Sequence, residues 1–152
     1  MTRPIAQARS AYKVFFSIST RWLDNDVYGH VNNVVYYGWF DTAVNRFLIE
    51  HGGLDIHAGA FMGLVVESQC NYFAPLAYPQ EVQAGIRVAH VGHSSVRYEV
   101  ALFAGQSTDL SSGAEAPCAA SGHLVHVYVD RLTRRPVALP TALLSALAKL
   151  RG

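Results

Sequence analysis

Ten residues from Asp24 to Asn33, "DNDVYGHVNN", gather side chains that can do chemistry. Either carboxylate, Asp24 or Asp26, could act as nucleophile or general base beside a helix start. His30 could assist proton transfer, as imidazoles do in many sites, or it could be a structural imidazole bonded under a loop. Gly29 supplies either an unusual backbone torsion or room for a ligand to approach closely, and both readings fit the sequence. Asn32 and Asn33 are capping residues by type. The backbone behind them matters more, because free N–H groups in a first helical turn bind anions and developing oxyanions. A carboxylate beside such amides suits acyl transfer, in which a carbonyl is polarised while it is attacked. The plainer reading is a loop aspartate that caps a turn. The rhythm of the preceding strand suggests that Asp24 closes that strand, which leaves Asp26 as the candidate.

Other chemistries find little support. His51, His57, His90, His93, His123 and His126 lack ligand spacing, and His123 and His126 fall on opposite faces of a strand, so no metal is expected. Cys70 lies on the apolar side of its strand and reads as core. Cys70 and Cys118 have no C-x-x-C spacing, which suggests reduced thiols and a cytoplasmic setting. There is no G-x-S-x-G elbow and no glycine-rich phosphate loop. A net charge of +1 with dispersed Lys and Arg argues against a nucleic-acid partner. No run of 18 apolar residues exists to span a membrane, and the chain before Tyr12 is too polar for a secretory signal.

The elements that must position the cluster follow from periodicity. Residues 12–22 alternate as a half-buried strand, with Tyr12, Val14, Phe16, Ile18, Thr20 and Trp22 on the apolar side and Phe15 interrupting the other. From Val34 to Glu50 the polar positions Asp41, Thr42, Asn45 and Arg46 form one narrow helical stripe, and a helix apolar around the rest of its circumference is buried. Asn32 or Asn33 caps it, and Gly52 and Gly53 stop it. About 18 residues give a helix ~27 Å long. Strands follow at Leu64–Phe73, Val82–Val91, Ser95–Phe103 and Ala119–Val129. In the first of these, Leu64, Val66, Ser68, Cys70 and Tyr72 share one face. "GHS" at 92–94 is a short hairpin connection, "APLAYP" at 74–79 is turn-rich, and 105–117 is a loop of small residues expected to be a mobile hairpin tip. A C-terminal helix covers Pro140–Leu150. Hairpin-linked strands make an antiparallel sheet, so the fold class is α+β, with about five strands beside one long buried helix, about 33–50. The 152 residues are expected to form a single domain, 1–152. With 51% hydrophobic and 15% charged residues, against roughly 25% charged in typical domains, part of the surface is expected to be covered by another subunit.

The run "RWLDNDVYGHVNNVVYY", followed by Phe40 and Asp41, closely resembles the opening of hotdog-fold acyl-CoA thioesterases of the 4-hydroxybenzoyl-CoA thioesterase type, whose pattern is roughly D-x-D-x-x-G-H-V-N-N-x-x-Y. The likeness extends to "ESQCNYFAPL" and to "HVGHSSVRYE". The resemblance implies a helix wrapped by an antiparallel sheet, two subunits joined through their sheets, and dimers paired into tetramers in many members. It places the catalytic aspartate at Asp26 and the carbonyl-polarising amide near Asn33, with Gly29 opening the approach and His30 alongside. Acyl-CoA is the implied substrate. Its acyl group would meet Tyr36, Tyr37 and Phe40, and coenzyme A would meet His93, Ser94 and Arg87 across the subunit interface. No cofactor is implied. Two rivals remain beside a CoA thioesterase: a non-catalytic acyl-thioester binding protein, and a thioesterase acting on acyl carrier protein. An enoyl-thioester hydratase would carry an Asp-x-Asn-Pro-like motif, which "DNDVYGH" does not match.

Overall fold

The computed structural model describes residues 2–105 and 116–151. Most of the loop expected at 105–117 therefore lies outside the described residues. In chain order the elements are β1 (Val14–Ser19), α1 (Asn33–His51), β2 (Phe61–Tyr72), β3 (Glu81–Val91), β4 (Ser95–Ala104), β5 (Cys118–Asp130) and α2 (Thr141–Ala148). The five strands form one sheet in the order β1-β3-β4-β5-β2, with every neighbour antiparallel.

Helix α1 lies along one face of that sheet. Phe40, Ala43, Val44, Phe47 and Leu48 are buried against it, while Asp41, Thr42 and Arg46 stay exposed as the polar stripe requires. Each large apolar side chain buried there contributes ~1.5–3 kcal/mol, so the packing rather than the helix's intrinsic propensity holds it in place. The approach is close enough to need a residue without Cβ at position 122. A Cβ on Gly122 would run into the Gln69 carbonyl oxygen of the neighbouring strand and sit 2.8 Å from Phe40 Cε2 of the helix. Leu143 and Leu147 of α2, with Leu150, close the end of the core.

Several expectations change. The face reading of the strand at Leu64–Phe73 is corrected by a bulge. Val65 pairs with His126 and Glu67 with Val125, so Val66 is the extra residue and the two faces exchange there. Strand β2 also begins earlier, at Phe61. The strand at 12–22 is shorter than its alternation suggested. Tyr12 and Phe15 pack with Phe103 in a second cluster on the far side of the sheet, so Phe15 is a core residue of another layer. Trp22, expected on the buried side, is 74% exposed in a short 3-10 turn at Trp22–Asp24.

Candidate active site

Between β1 and α1 the chain makes a small hairpin. The Asp26 N–H donates to the His30 carbonyl (2.9 Å), the Gly29 N–H donates to the Asp26 carbonyl (3.0 Å), and Asn25 bridges to Val31. This is a three-residue loop that ends on a residue in the left-handed region. Gly29 fills that place with φ at +81°. A Cβ on Gly29 would meet nothing within 4 Å, so the space above it is open.

The two carboxylates have separate lives. Asp24 is 1% exposed and accepts hydrogen bonds from the Arg21 backbone N–H (2.7 Å) and from Arg21 Nε (3.2 Å) and Nη2 (3.0 Å), while its carbonyl accepts the Asn32 N–H (2.9 Å). It ties the exit of β1 to the entrance of α1. Asp26 is half-buried, and its Oδ1 accepts only the Tyr28 N–H of its own turn (2.9 Å) among the described residues.

At the head of α1, Asn32 is the N-cap. Its Oδ1 accepts the Val34 N–H (3.1 Å) and its carbonyl accepts the Val35 N–H (3.0 Å). Among the described residues the Asn33 N–H has no hydrogen-bond partner. One donor of the first turn is therefore left free at the positive end of a 19-residue helix.

The connection at 74–80, legible in the sequence only as turn-rich, clamps this hairpin from outside. The Leu76 carbonyl accepts the Val31 N–H (2.7 Å), Asn25 Oδ1 accepts the Tyr78 N–H (3.0 Å), and the Thr20 hydroxyl donates to the Gln80 carbonyl (2.6 Å). Trp22 and Tyr78 meet edge to face at 5.9 Å. Tyr72, which sequence reasoning did not single out for the site, donates its hydroxyl to the Asn33 carbonyl (2.9 Å) and packs edge to face on Tyr36 at 5.0 Å. An aromatic residue at the end of a strand, just before "FAP", was the only signal for it.

Three concavities surround the helix head. One of about 660 Å³ is lined by Trp22, Leu23, Asp26, Tyr28, Gly29 and Asn32. One of about 320 Å³ is lined by His30, Asn33, Tyr36 and Tyr72, with the Phe73–Pro75 segment. The third, about 310 Å³, lies between α1 and β2 and is lined by Tyr37, Gly38, Asp41, Val65, Ser68 and Leu124. Asp26 and Asn33 thus border two different hollows. Phe40, expected to meet the acyl group, is fully buried in the core and lines none of these three hollows.

Arg87, His93 and Ser94 lie elsewhere in the chain. Arg87 is on the far face of the sheet, bonded to Gln7 (3.0 Å) and Glu99 (3.4 Å). The His93 and Ser94 carbonyls accept the Leu139 (3.1 Å) and Tyr128 (2.7 Å) amides. Their hairpin marks the end of the sheet where Ser95, Val127 and Leu64 align, whereas the head of α1 is at the end where Leu102, Ala120 and Tyr72 align. One chain does not bring the two ends together.

Buried titratable groups away from the hairpin are held in their neutral forms. Burial pushes the Cys70 thiol up to about 11, which suits a core residue and not a nucleophile. Burial also pushes His126 down to about 4, against a weaker opposing pull from Asp41. His126 Nδ1 lies 3.4 Å from the Tyr128 hydroxyl, which in turn is 2.6 Å from the Tyr98 hydroxyl. Among the described residues no group of three or more His, Cys, Asp or Glu could hold a metal ion, and no helix is long and apolar enough to cross a membrane.

A single helix cradled by a five-stranded antiparallel sheet, with a carboxylate hairpin leading into its first turn, is the hotdog arrangement of proteins that handle acyl thioesters. The chain belongs to the thioesterase-like superfamily, whose family model matches residues 20–147. It is similar to the PA5185 protein of Pseudomonas aeruginosa strain PAO1, at 55% identity over 95% of both chains and a TM-score of 0.86. It is also similar to a thioesterase of Thermus thermophilus in complex with coenzyme A and zinc, at 27% identity over 90% of this chain and 98% of that one, TM-score 0.72. A curated relative, the uncharacterized protein YsmA of Bacillus subtilis strain 168, is 23% identical over 93 residues, 61% of this chain and 63% of that protein, so the match spans less than two thirds of its length.

Proposed function

We propose that the protein hydrolyses the thioester of a small, medium-chain or aryl acyl-CoA to the free acid and coenzyme A. The observation that carries this reading is the Asn33 N–H at the helix head, unpartnered among the described residues, with the open Asp26 hairpin leading into that helix. With the thioester carbonyl on that amide, negative charge developing on oxygen meets a fixed donor. Such a donor contributes ~3–4 kcal/mol to the transition state when well placed. Asp26 either adds to the carbonyl carbon, forming an anhydride that water then opens, or takes a proton from the attacking water. In both routes the C–S bond breaks and its electron pair leaves on sulfur. A thiol's pKa of about 8.5 makes that departure easy without a full triad. The coenzyme A complex of the Thermus relative supports a CoA-bound substrate.

The second half of the site comes from a second copy in this reading. Strand β2 is an edge of the sheet, and its Leu64, Val65 and Val66 are exposed, Val66 to 62%. An apolar unpaired edge is a template for strand addition. Antiparallel pairing of β2 with its own copy about a two-fold axis sets the Tyr72 end of one chain against the Phe61 end of the other. The partner's 92–94 hairpin then lies on the same side as this chain's helix head, which is where coenzyme A would need His93 and Ser94.

The test is thiol release from short, medium, long and aryl acyl-CoAs by the wild type and by Asp26→Asn. Turnover of one class, with a loss of ~100-fold or more in the variant, is the expected result. Saturable acyl-CoA binding without turnover would make this a binding protein or a thioesterase for acyl carrier protein. An Asn variant as fast as wild type would remove Asp26 from the mechanism.

A further inference from the structure

We propose that Tyr72 is a positioning residue for the oxyanion-binding amide. The inference rests on the function proposed above and adds what aims the Asn33 N–H. That donor can stabilise an oxyanion only if its direction is fixed before the substrate arrives. The donor lies in the peptide plane before the Asn33 α-carbon, and the plane after it anchors that α-carbon. The plane before it is held because the Asn32 carbonyl accepts the Val35 N–H, and the peptide ahead of that one is held by the Asn32 N–H on the Asp24 carbonyl. The plane after it is held at both ends, by the Val34 N–H on Asn32 Oδ1 and by the Tyr72 hydroxyl on the Asn33 carbonyl.

Of these restraints, Tyr72 is the one that comes from the sheet. It is the last residue of β2 and pairs with Ala120 of β5, so its hydroxyl links the helix head to the sheet across 39 positions of sequence. The other restraints come from the helix's own first turn and, through the Asp24 carbonyl, from the hairpin that enters it. Its ring is steadied edge to face by Tyr36, which is itself buried. Burial raises the Tyr72 hydroxyl well above the ordinary tyrosine range, so it remains a hydrogen-bond donor at every pH at which such an enzyme works. Tyr72 also borders the hollow that holds Asn33 and His30, so the restraint sits where substrate would enter.

The test uses Tyr72→Phe, which keeps the ring and removes one hydroxyl. A misaimed donor is felt in the transition state more than in the ground state. The expected result is therefore a fall of ~10-fold in kcat, KM within ~2-fold, and an unchanged pH profile. A second readout needs no turnover. On an Asp26→Asn background, the carbonyl stretch of a bound acyl-CoA labelled at the thioester carbon reports how strongly that carbonyl is polarised. Adding Tyr72→Phe should move this band back toward its frequency in water. Wild-type kcat together with an unmoved band would overturn the inference while leaving the thioesterase reading intact. Loss of activity that only follows a lowered melting temperature, with the band unmoved in folded protein, would also overturn it. If the wild type releases no thiol from any acyl-CoA, the proposed function falls and this inference falls with it.

Discussion

Substitution of Gly29 separates the two roles that its position allows. The residue sits at φ +81° with open space where a Cβ would go, so Gly29→Ala makes no clash and its cost is conformational alone. Forcing an L-residue into the left-handed region costs ~1–2 kcal/mol. The alanine chain also has fewer unfolded conformations to lose, which returns ~0.4–1 kcal/mol. The net loss is about 1 kcal/mol, or roughly 2–4 °C in melting temperature for a chain of this size. Gly29→Asn should cost less, since Asn visits this region readily, and Gly29→Val should cost more. Activity supplies the second axis. Gly29 lines the same hollow as Asp26, so if substrate approaches over it, the Asn variant is close to wild type in melting temperature yet strongly impaired in kcat/KM. If Gly29 serves the turn alone, activity in all three variants follows the fraction folded. Thermal unfolding and thiol release on the same preparations decide this. An Asn variant destabilised as much as the Val variant would refute the torsional account, because nothing in the surroundings distinguishes their Cβ atoms.

The remaining predictions test separate parts of the structure. Asp24→Asn should lower stability by about 2 kcal/mol, because a buried carboxylate that holds three Arg21 donors is disrupted, whereas Asp26→Asn should leave the melting temperature almost unchanged and remove activity. Between pH 6.5 and about 4 the unfolded chain protonates His126 while the folded chain does not, so stability falls as pH drops through that window by about 3 kcal/mol. Urea midpoints at both ends should show this slope in wild type and lose it in His126→Gln. Val66→Lys places a charge on the exposed bulge of the β2 edge, and light scattering should then report the mass of one chain where wild type reports at least two.

What the sequence disclosed, and what it hid, divides along the distance over which each feature is determined. The polar stripe of α1 is written within one helix, and its Asn32 cap and Gly52–Gly53 stop lie close to its ends, so the observed Asn33–His51 departs little from the expected span. The Asp26–Gly29 turn is similarly local. Its i, i+3 spacing of carboxylate and glycine is the turn, and the structure adds only the sign of φ. The bulge at Val66 cannot be read from β2, because the extra residue is defined by counting against β5, about 60 positions later. Nor can the demotion of Trp22 to the surface, since the chain leaves the sheet after Ser19 to make the turn that lets Arg21 reach Asp24. The same division runs through the site. The hairpin that carries Asp26 and the cap that precedes Asn33 were legible because one short stretch of sequence forms both. Their supports were not, because they are contacts from Leu76, Tyr78 and Tyr72 that no local pattern announces. His93 and Ser94 mark the limit of a single chain. They lie at the opposite end of the sheet from the helix head, so in the proposed dimer their role in binding coenzyme A is supplied from the second copy across the β2 edge. A chain confined to one copy by Val66→Lys should accordingly lose affinity for coenzyme A, even with Asp26, Asn33 and Tyr72 all in place.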